Sequence, residues 1–217
     1  MFTDVFDANP DPAVAHGSLG ALVLAGGRSR RMGRDKAKIV LADDSAESET
    51  LLARTVRVAL EVAAECVVVL APEQPVPELD PRARVVRDPT PHEGPIAALA
   101  HAIHEVCAPW VLVLATDHPR LSASVLTRLA ALADGDGAAF EGEPFVAVYR
   151  TEALRSVAQD LVREGERRAR TLLERIRVRQ VRAADLLADP DVAREDPSLE
   201  SLVDVDTPED LLALTRR

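Results

Sequence analysis

The sequence predicts an α/β fold in which a mostly parallel sheet is covered by helices on both faces. Short runs rich in Val and Leu alternate along the chain with longer segments whose apolar residues recur at helical spacing. The short runs lack the polar alternation of half-exposed strands, which indicates burial on both faces. An alternating strand and helix order joins parallel strands through right-handed crossovers. We therefore expect three layers, with ligands bound at the carboxyl ends of the strands.

The first half of the chain carries the clearest signals for individual elements. Its apolar runs predict strands at residues 21–24, 66–70, 84–86 and 110–114. The spacing of Leu, Val, Ile and Ala predicts helices between them, over residues 51–64 and 95–106. Ser122 or Ser124 is a candidate cap for a further helix that ends near Leu132.

The second half has a more mixed pattern. Its periodicity predicts a strand that could run antiparallel, an amphipathic helix and a short strand, at residues 145–149, 151–163 and 178–181. The acidic, proline-containing stretch at residues 189–198 is predicted to be a loop. Thr207 is predicted to cap the last helix, with Pro208 at the first helical position and acidic residues in the first turn.

Length and composition limit the classes of protein to consider. The 217 residues are expected to form one domain over residues 19–217, preceded by a flexible acidic extension at residues 1–18. The formal net charge of −10 does not suggest a nucleic-acid partner, and no apolar run is long enough to span a membrane. Cys66 and Cys107 lie beside predicted buried strands, so both are interpreted as reduced core thiols of a cytoplasmic protein.

The stretch Leu22-Val-Leu-Ala-Gly-Gly-Arg-Ser-Arg-Arg-Met-Gly-Arg-Asp-Lys36 is the most informative part of the chain. It joins an apolar strand to a loop that has accessible backbone amides and fixed positive charge, which is what a triphosphate requires. It is not a P-loop, because Lys36 is followed by Ala37 instead of Ser or Thr. Its glycines also do not have the spacing of a dinucleotide fingerprint.

Asp117 is a second candidate site residue, because it follows the predicted strand at residues 110–114. The glycine loop follows the strand at residues 21–24, and the carboxyl ends of parallel strands meet at one edge of the sheet. We therefore expect the loop and Asp117 to share a site. An aspartate two residues before Pro119 could hold a metal ion there, or could simply cap a turn.

Four segments resemble, in the same order, those of nucleotidyltransferases of the molybdenum cofactor guanylyltransferase type. The first is Leu24-Ala-Gly-Gly-Arg-Ser-Arg-Arg-Met-Gly-Arg-Asp-Lys36, which resembles the opening signature of that family. The other three are Arg87-Asp-Pro-Thr-Pro-His-Glu-Gly-Pro-Ile-Ala-Ala98, Val113-Leu-Ala-Thr-Asp-His-Pro119 and Asp204-Val-Asp-Thr-Pro-Glu-Asp-Leu211. The resemblance extends from about Gly20 to the end of the chain.

This resemblance implies a Rossmann-like, three-layer α/β/α nucleotidyltransferase fold (GT-A-like). It also implies a reaction, the Mg²⁺-dependent transfer of GMP from GTP to molybdenum-molybdopterin with release of pyrophosphate. GTP and molybdopterin would be the substrates, other proteins of molybdenum cofactor biosynthesis are candidate partners, and no nucleic acid or membrane is implied. By the same resemblance, Asp117 is the metal ligand and the catalytic residues are Lys36, Asp117 and Arg31. The implied nucleotide-binding residues are Leu24, Ala25, Gly26, Gly27, Lys36, Asp88 and Gly94.

Candidate acceptor-binding residues lie in two later segments. Asp204 and Asp206 stand where the family usually has Asn, and both would point to one face if residues 202–205 formed a strand. The arginine segment, residues 163–182, offers planar guanidinium groups for a phosphate and a pterin. Its candidates are Arg167, Arg168 and Arg170, although exposed pairing with Glu also explains most of these arginines without a ligand.

Two alternatives to the transfer of GMP to molybdopterin remain. Gly26 favours GTP, because the resembling cytidylyltransferases usually have Ala at that position. Ala98 departs from a glycine that is frequent in the family, so a cytidylyl- or guanylyltransferase acting on another phosphorylated small molecule is the first alternative. A nucleotide-binding module without turnover is the second, and the presence of both Lys36 and Asp117 argues against it.

Overall fold

The computed structural model describes residues 14, 16–26, 49–90, 93–205, 207 and 210. Within this part of the chain, one mixed sheet has the strand order β3-β2-β1-β4-β6-β5-β7. Only β6 runs against the other strands, because it pairs antiparallel with both β4 and β5. The strands are β1 (Leu19–Leu24), β2 (Glu65–Leu70), β3 (Ala83–Arg87), β4 (Trp110–Ala115), β5 (Gly137–Phe140), β6 (Glu143–Arg150) and β7 (Arg179–Val181).

Helices cover both faces of this sheet. Thr50 caps the first helix by accepting a hydrogen bond from the Ala53 amide, and Ser122 caps the third by accepting one from the Val125 amide. The described helices are α1 (Leu51–Val62), α2 (Pro95–Ala102), α3 (Ala123–Ala131), α4 (Thr151–Arg163), α5 (Thr171–Arg175), α6 (Ala183–Leu187) and α7 (Pro190–Glu195). Short 3-10 helices are found at His16–Ser18, Ile103–Glu105 and Glu200–Leu202.

Two apolar cores lie on opposite faces of the sheet. Successive residues of β1, Leu22 and Val23, are both fully buried, one in each core, because side chains alternate across a strand. The Val23 side contains residues of α1, α3, α6 and α7, and the Leu22 side contains residues of α2, α4 and α5. The predicted three-layer α/β/α fold with a mostly parallel sheet is therefore confirmed.

The strands and helices predicted from the sequence are present, with three corrections. The stretch at residues 189–198 is not a loop throughout, because α7 begins where Asp189 accepts hydrogen bonds from the Asp191 and Val192 amides and Pro190 occupies the first turn. Residues 202–205 do not form a strand; a 3-10 helix ends at Leu202 and an irregular segment follows. The helix predicted over residues 95–106 gives way after Ala102 to a 3-10 turn.

The two cysteines differ from one another. Cys66 is fully buried in β2, as predicted, and burial raises the pKa of its thiol to about 12. Cys107 is exposed, so the prediction of a second core thiol is wrong. It lies in the connection before β4, where its backbone amide donates to the Glu65 carboxylate at 2.8 Å.

Few of the described residues lie at the two ends of the chain, so fewer predictions can be compared with the structure there. Thr207 and Asp210 exchange two hydrogen bonds, as expected of a residue that caps a helix, while Pro208 lies outside the described residues. The flexible extension at residues 1–18 and the single domain over residues 19–217 both stay predictions. No helix in the described ranges is long and apolar enough to cross a lipid bilayer.

Candidate active site

Strand register brings the segments predicted to bind nucleotide and metal to one edge of the sheet. Leu24 at the end of β1 is opposite Ala115 at the end of β4. Gly26 therefore lies two residues after Leu24, and Asp117 lies two residues after Ala115. On the other side of β1, Leu24 is opposite Val69 of β2. The next residue of β2, Leu70, is opposite Arg87 at the end of β3, so Asp88 lies at the same edge of the sheet. This edge is the crevice in which open α/β sheets bind their ligands.

The beginning of the glycine loop is held by backbone and side-chain hydrogen bonds. The Ala25 amide donates to the Val69 carbonyl at 2.9 Å, so it extends the ladder between β1 and β2 by one residue. The Gln74 side chain donates to the Ala25 carbonyl at 3.1 Å. A Cβ placed on Gly26 would lie 3.0 Å from the Ala71 nitrogen, which makes glycine the residue that fits this approach best.

Asp88 is buried, and its side chain helps to build the turn after β3. Its Oδ1 accepts a hydrogen bond from the Thr90 amide at 2.9 Å, and its own amide donates to the Leu70 carbonyl at 2.9 Å. This is the arrangement of an aspartate that stabilises a turn through the backbone two residues ahead. The contacts explain the burial of Asp88 without a ligand, and its predicted role in nucleotide binding stays a prediction.

The N-terminus of α2 lies beside the arginine segment. Gly94 caps this helix with a φ of +94°, a backbone conformation that favours glycine, and Pro95 follows at the first helical position. A Cβ on Gly94 would lie 3.6 Å from the Arg167 carbonyl oxygen and 3.7 Å from the Arg167 Cβ. Arg167 is therefore the acceptor candidate that directly adjoins a predicted nucleotide-binding residue.

Asp117 lies where β4 turns away from the sheet, and neighbouring segments fix its position. Its Oδ1 is 2.9 Å from Nδ1 of the buried His118, while its side chain remains 31% exposed. The Asp117 carbonyl accepts a hydrogen bond from the Val205 amide at 2.8 Å, and Arg120 pairs with Glu200. These contacts bring Asp204, which is exposed, to the neighbourhood of Asp117, although residues 202–205 do not form the strand that was considered for them.

The other arginine candidates already have acidic neighbours. Arg168 forms an ion pair with Glu166 at 2.7 Å, and Arg170 approaches Glu143, at the start of β6, within 3.5 Å. The Glu166 carboxylate also accepts the Arg167 and Arg168 amides at 2.8 and 2.9 Å. The Arg168 guanidinium, followed by these two amides, lowers the pKa of Glu166 to about 2.

The chemistry of Asp117 fits a magnesium ion that is shared with substrate phosphates. Mg²⁺ is commonly bound by one or two carboxylates together with phosphates and water, and a partly exposed aspartate at a strand end meets that need. Within the described ranges, no group of three or more His, Cys, Asp and Glu side chains could hold a metal ion by itself. The site residues Gly27, Arg31, Lys36 and Asp206 lie outside the described residues.

Comparison with known proteins identifies the family. A model of the MobA-like NTP transferase domain matches residues 21–182, well over half of the chain. The chain belongs to the MobA-like NTP transferase family. It is therefore an enzyme of the nucleotidyltransferase class, in a family that typically uses a divalent metal ion. The nucleotide transfer that the resemblance implied is confirmed at this level.

Curated relatives support membership of this family. The probable molybdenum cofactor guanylyltransferase of Synechococcus elongatus is 42% identical over 116 residues, which cover 49% of this chain and 54% of that protein. The alignment thus spans only about half of that relative. The probable molybdenum cofactor guanylyltransferase of Mycolicibacterium paratuberculosis is 34% identical over 172 residues, which cover 75% of this chain and 84% of that protein.

A solved structure supports the MobA-like fold. The crystal structure of molybdopterin-guanine dinucleotide biosynthesis protein A from Archaeoglobus fulgidus superimposes with a TM-score of 0.65. The superposition covers 91% of this chain and 97% of that one, with 22% sequence identity. At this identity the likeness shows the fold alone.

Two residues near the site were not predicted to have a role. Gln74 links the ends of β1 and β2, but it lies in an irregular segment between Pro72 and Pro75 that matches no motif. His118 approaches the Asp117 carboxylate, and only its position next to Asp117 in the sequence gave a hint of this. In both cases the three-dimensional contact is the informative signal.

Proposed function

We propose that this nucleotidyltransferase transfers GMP from GTP to molybdenum-molybdopterin and releases pyrophosphate. The observation that carries the proposal is the register of β1 with β4, in which Leu24 and Ala115 are paired. The start of the glycine loop and Asp117 follow this pair at one edge of the sheet, and this supports the proposal because a triphosphate and a metal-binding carboxylate would have to lie side by side. The choice of GTP and of the molybdopterin acceptor is supported by the names of the relatives and by Gly26.

In the proposed reaction an oxygen of the terminal phosphate of the acceptor attacks the α-phosphorus of GTP. A new phosphoanhydride bond forms, the bond between the α- and β-phosphates breaks, and pyrophosphate leaves with that electron pair. A phosphate monoester has a second pKa of about 6, so it is mostly ionised at neutral pH and needs no strong general base. The task of the protein is therefore to align the substrates and to neutralise their charge.

Each candidate residue has a role in this scheme. Gly26 and Gly27 would let backbone amides approach the phosphates, and Lys36, assisted by Arg31, would stabilise the departing pyrophosphate. Mg²⁺ held by Asp117 would neutralise charge on the phosphates of both substrates. Leu24 and Ala25 would line the nucleotide site, together with Asp88 and the helix N-terminus at Gly94. Arg167, Arg168, Arg170, Asp204 and Asp206 are the candidates for contact with the acceptor.

A turnover assay on the purified full-length chain tests this proposal. The protein is mixed with Mg²⁺, molybdenum-loaded molybdopterin and either GTP, CTP or ATP, and both pyrophosphate and the dinucleotide product are measured. We expect product with GTP alone. Product with CTP alone would overturn the assignment of the base while retaining nucleotide transfer. If Mg-GTP binds but no nucleotide gives product, the assigned acceptor is wrong, and a screen of other phosphorylated small molecules should then reveal turnover.

A further inference from the structure

One side chain joins the carboxyl ends of two parallel strands next to the proposed nucleotide site. The Oε1 atom of Gln74 accepts a hydrogen bond from the Ala71 amide at 3.1 Å, directly after β2. Its Nε2 atom donates to the Ala25 carbonyl at 3.1 Å, directly after β1. Because both atoms belong to one planar carboxamide, they fix the two strand ends relative to each other.

The segment that carries Gln74 is itself attached to the next strand. The Gln74 amide donates to the Ala71 carbonyl at 3.1 Å, which closes a short turn over residues 71–74. Arg87, at the end of β3, donates from its guanidinium to the Ala71 carbonyl at 2.8 Å and also to the Gln74 carbonyl. The end of β3 therefore supports the turn, and the turn supports the end of β1 through the Gln74 side chain.

These contacts fix the position of Ala25 and Gly26, the first two residues after β1. The Ala25 amide donates a hydrogen bond to the Val69 carbonyl, and the Ala25 carbonyl accepts one from the Gln74 side chain. Gly26 lies against the Ala71 backbone. The peptide that joins Ala25 to Gly26 is thus held at both of its ends. Of the three restraints, only the one from Gln74 depends on a side chain that can be changed without altering the backbone.

We propose that Gln74 is a positioning residue for nucleotide binding. It fixes the peptide between Ala25 and Gly26, and so presents the backbone of these two predicted nucleotide-binding residues to the triphosphate in a single orientation. A preorganised backbone loses less conformational entropy when the ligand binds. The affinity is therefore higher than it would be without the hydrogen bond from Gln74. This inference rests on the proposed function, in which that loop binds a nucleoside triphosphate. It requires no contact between Gln74 and the nucleotide.

The substitution Gln74→Met tests this role. Methionine keeps an unbranched side chain of similar length but removes both hydrogen bonds. Two quantities are measured on the full-length protein, the Kd of Mg-GTP by calorimetry and the rate of hydrogen exchange at the Ala25 amide. We expect the Kd to rise about tenfold, equivalent to about 1.4 kcal/mol, and the Ala25 amide to exchange faster. The affinity for the phosphorylated acceptor should not change.

Gln159→Met is the matched control. The Gln159 side chain also makes a polar contact, to His104 at 2.8 Å, but His104 precedes β4 and so lies toward the opposite edge of the sheet. This variant should match the parent in both measurements. Gln74→Glu is a second test variant, because it retains an acceptor for the Ala71 amide but replaces the donor to Ala25 with a negatively charged oxygen. It should also raise the Kd and the exchange rate.

The outcomes separate the inference from the proposed function. If the parent binds Mg-GTP and both folded Gln74 variants bind it equally well, the positioning role is overturned and the proposed function stands. A raised Kd without faster exchange at Ala25 would also overturn it, because Gln74 would then act by another route. If the parent binds no nucleoside triphosphate, the proposed function fails, and this inference fails with it.

Discussion

The nucleotide side and the acceptor side of the candidate site are held by different kinds of contact. At the start of the glycine loop, Ala25 is bonded through its amide to Val69 and through its carbonyl to Gln74. Around residues 164–170, ion pairs dominate, and the side chains of Arg168 and Arg170 are 79% and 76% exposed. Exposed ion pairs contribute little to stability and are weakened by salt. Partly buried hydrogen bonds between neutral groups are not weakened by salt in this way, and each contributes about 1 kcal/mol.

The contrast indicates which half of the site has its geometry fixed before substrate binds. The strand ends fix the origin of the glycine loop, so the nucleotide side is preorganised by the fold itself. The arginines can exchange an acidic neighbour for a substrate phosphate at little cost, so the acceptor side can adapt. Substitutions on the nucleotide side should therefore change both stability and binding, whereas those on the acceptor side should change binding with little effect on stability.

The largest effect is expected at Asp117, which lies between the two halves. Asp117→Asn preserves the shape of the side chain but removes the charge proposed to hold Mg²⁺. We expect the Mg²⁺-dependent turnover to fall by at least about a hundredfold, or about 2.7 kcal/mol, with an unchanged Tm. Asp191→Asn is the control, because Asp191 pairs with Arg194 on the exposed part of α7. Equal turnover in Asp117→Asn and the parent would contradict the metal assignment.

The next effect should distinguish Arg167 from its neighbour. Arg167 lies against Gly94 at the N-terminus of α2, whereas Arg168 is paired with Glu166. Arg167→Ala should raise the KM for the acceptor by about tenfold while leaving the KM for GTP unchanged, because a charge-assisted contact to phosphate is lost. Arg168→Ala, the matched control, should raise it less than about threefold. The opposite ranking in steady-state kinetics would show that Arg168 carries the acceptor contact.

A smaller effect is expected at Gly26, where the nucleotide side is closely packed. The added methyl group of Gly26→Ala would lie 3.0 Å from the Ala71 nitrogen, so the loop or the end of β2 must move. Such overpacking costs about 1 kcal/mol or more, which in a chain of this size lowers the Tm by about 2–4 °C. Gly17→Ala is the control, since nothing lies within 4 Å of the added group. An unchanged Tm together with a lost preference for GTP over CTP would mean that Gly26 acts on the base instead.

The parallel half of the fold could be predicted because its strands are apolar on both faces. Val67 to Val69 and Val111 to Leu114 have no polar alternation, and the structure buries all of them. Short elements could not be predicted in the same way. The strand β5 is built from small residues with little periodicity, and α7 was missed because Pro190 was interpreted as a loop residue, although it opens the helix.

The site shows the same division between local and distant information. The edge that unites Gly26 with Asp117 follows from strand order, so it was available from the sequence. The contact between Gln74 and Ala25 joins residues 49 positions apart, and no local pattern encodes it. The approach of Val205 to Asp117 is similar, because it depends on the path of an irregular segment after residue 202, for which the sequence offered a strand only as a condition.

The smallest effect should appear on acidification of the acceptor side. Its neighbours lower the pKa of Glu166 from the ordinary 4.5 to about 2, so the contribution of Glu166 to stability is complete above about pH 4.5. That contribution is lost as the pH falls from about 4.5 towards 2, because the carboxylate is then protonated and releases the Arg167 and Arg168 amides. We expect the protection factors of these two amides, which compare the observed exchange with the intrinsic rate at each pH, to fall over this range, while the protection factor of Ala25 stays unchanged. Arg168→Ala removes the guanidinium that lowers this pKa most, so the pKa of Glu166, followed by NMR, should move back towards 4.5. A Glu166 carboxyl that titrates at its ordinary pKa in the parent would mean that the ion pair is not maintained in solution, and the arginines would then be free for the acceptor without any exchange of partners.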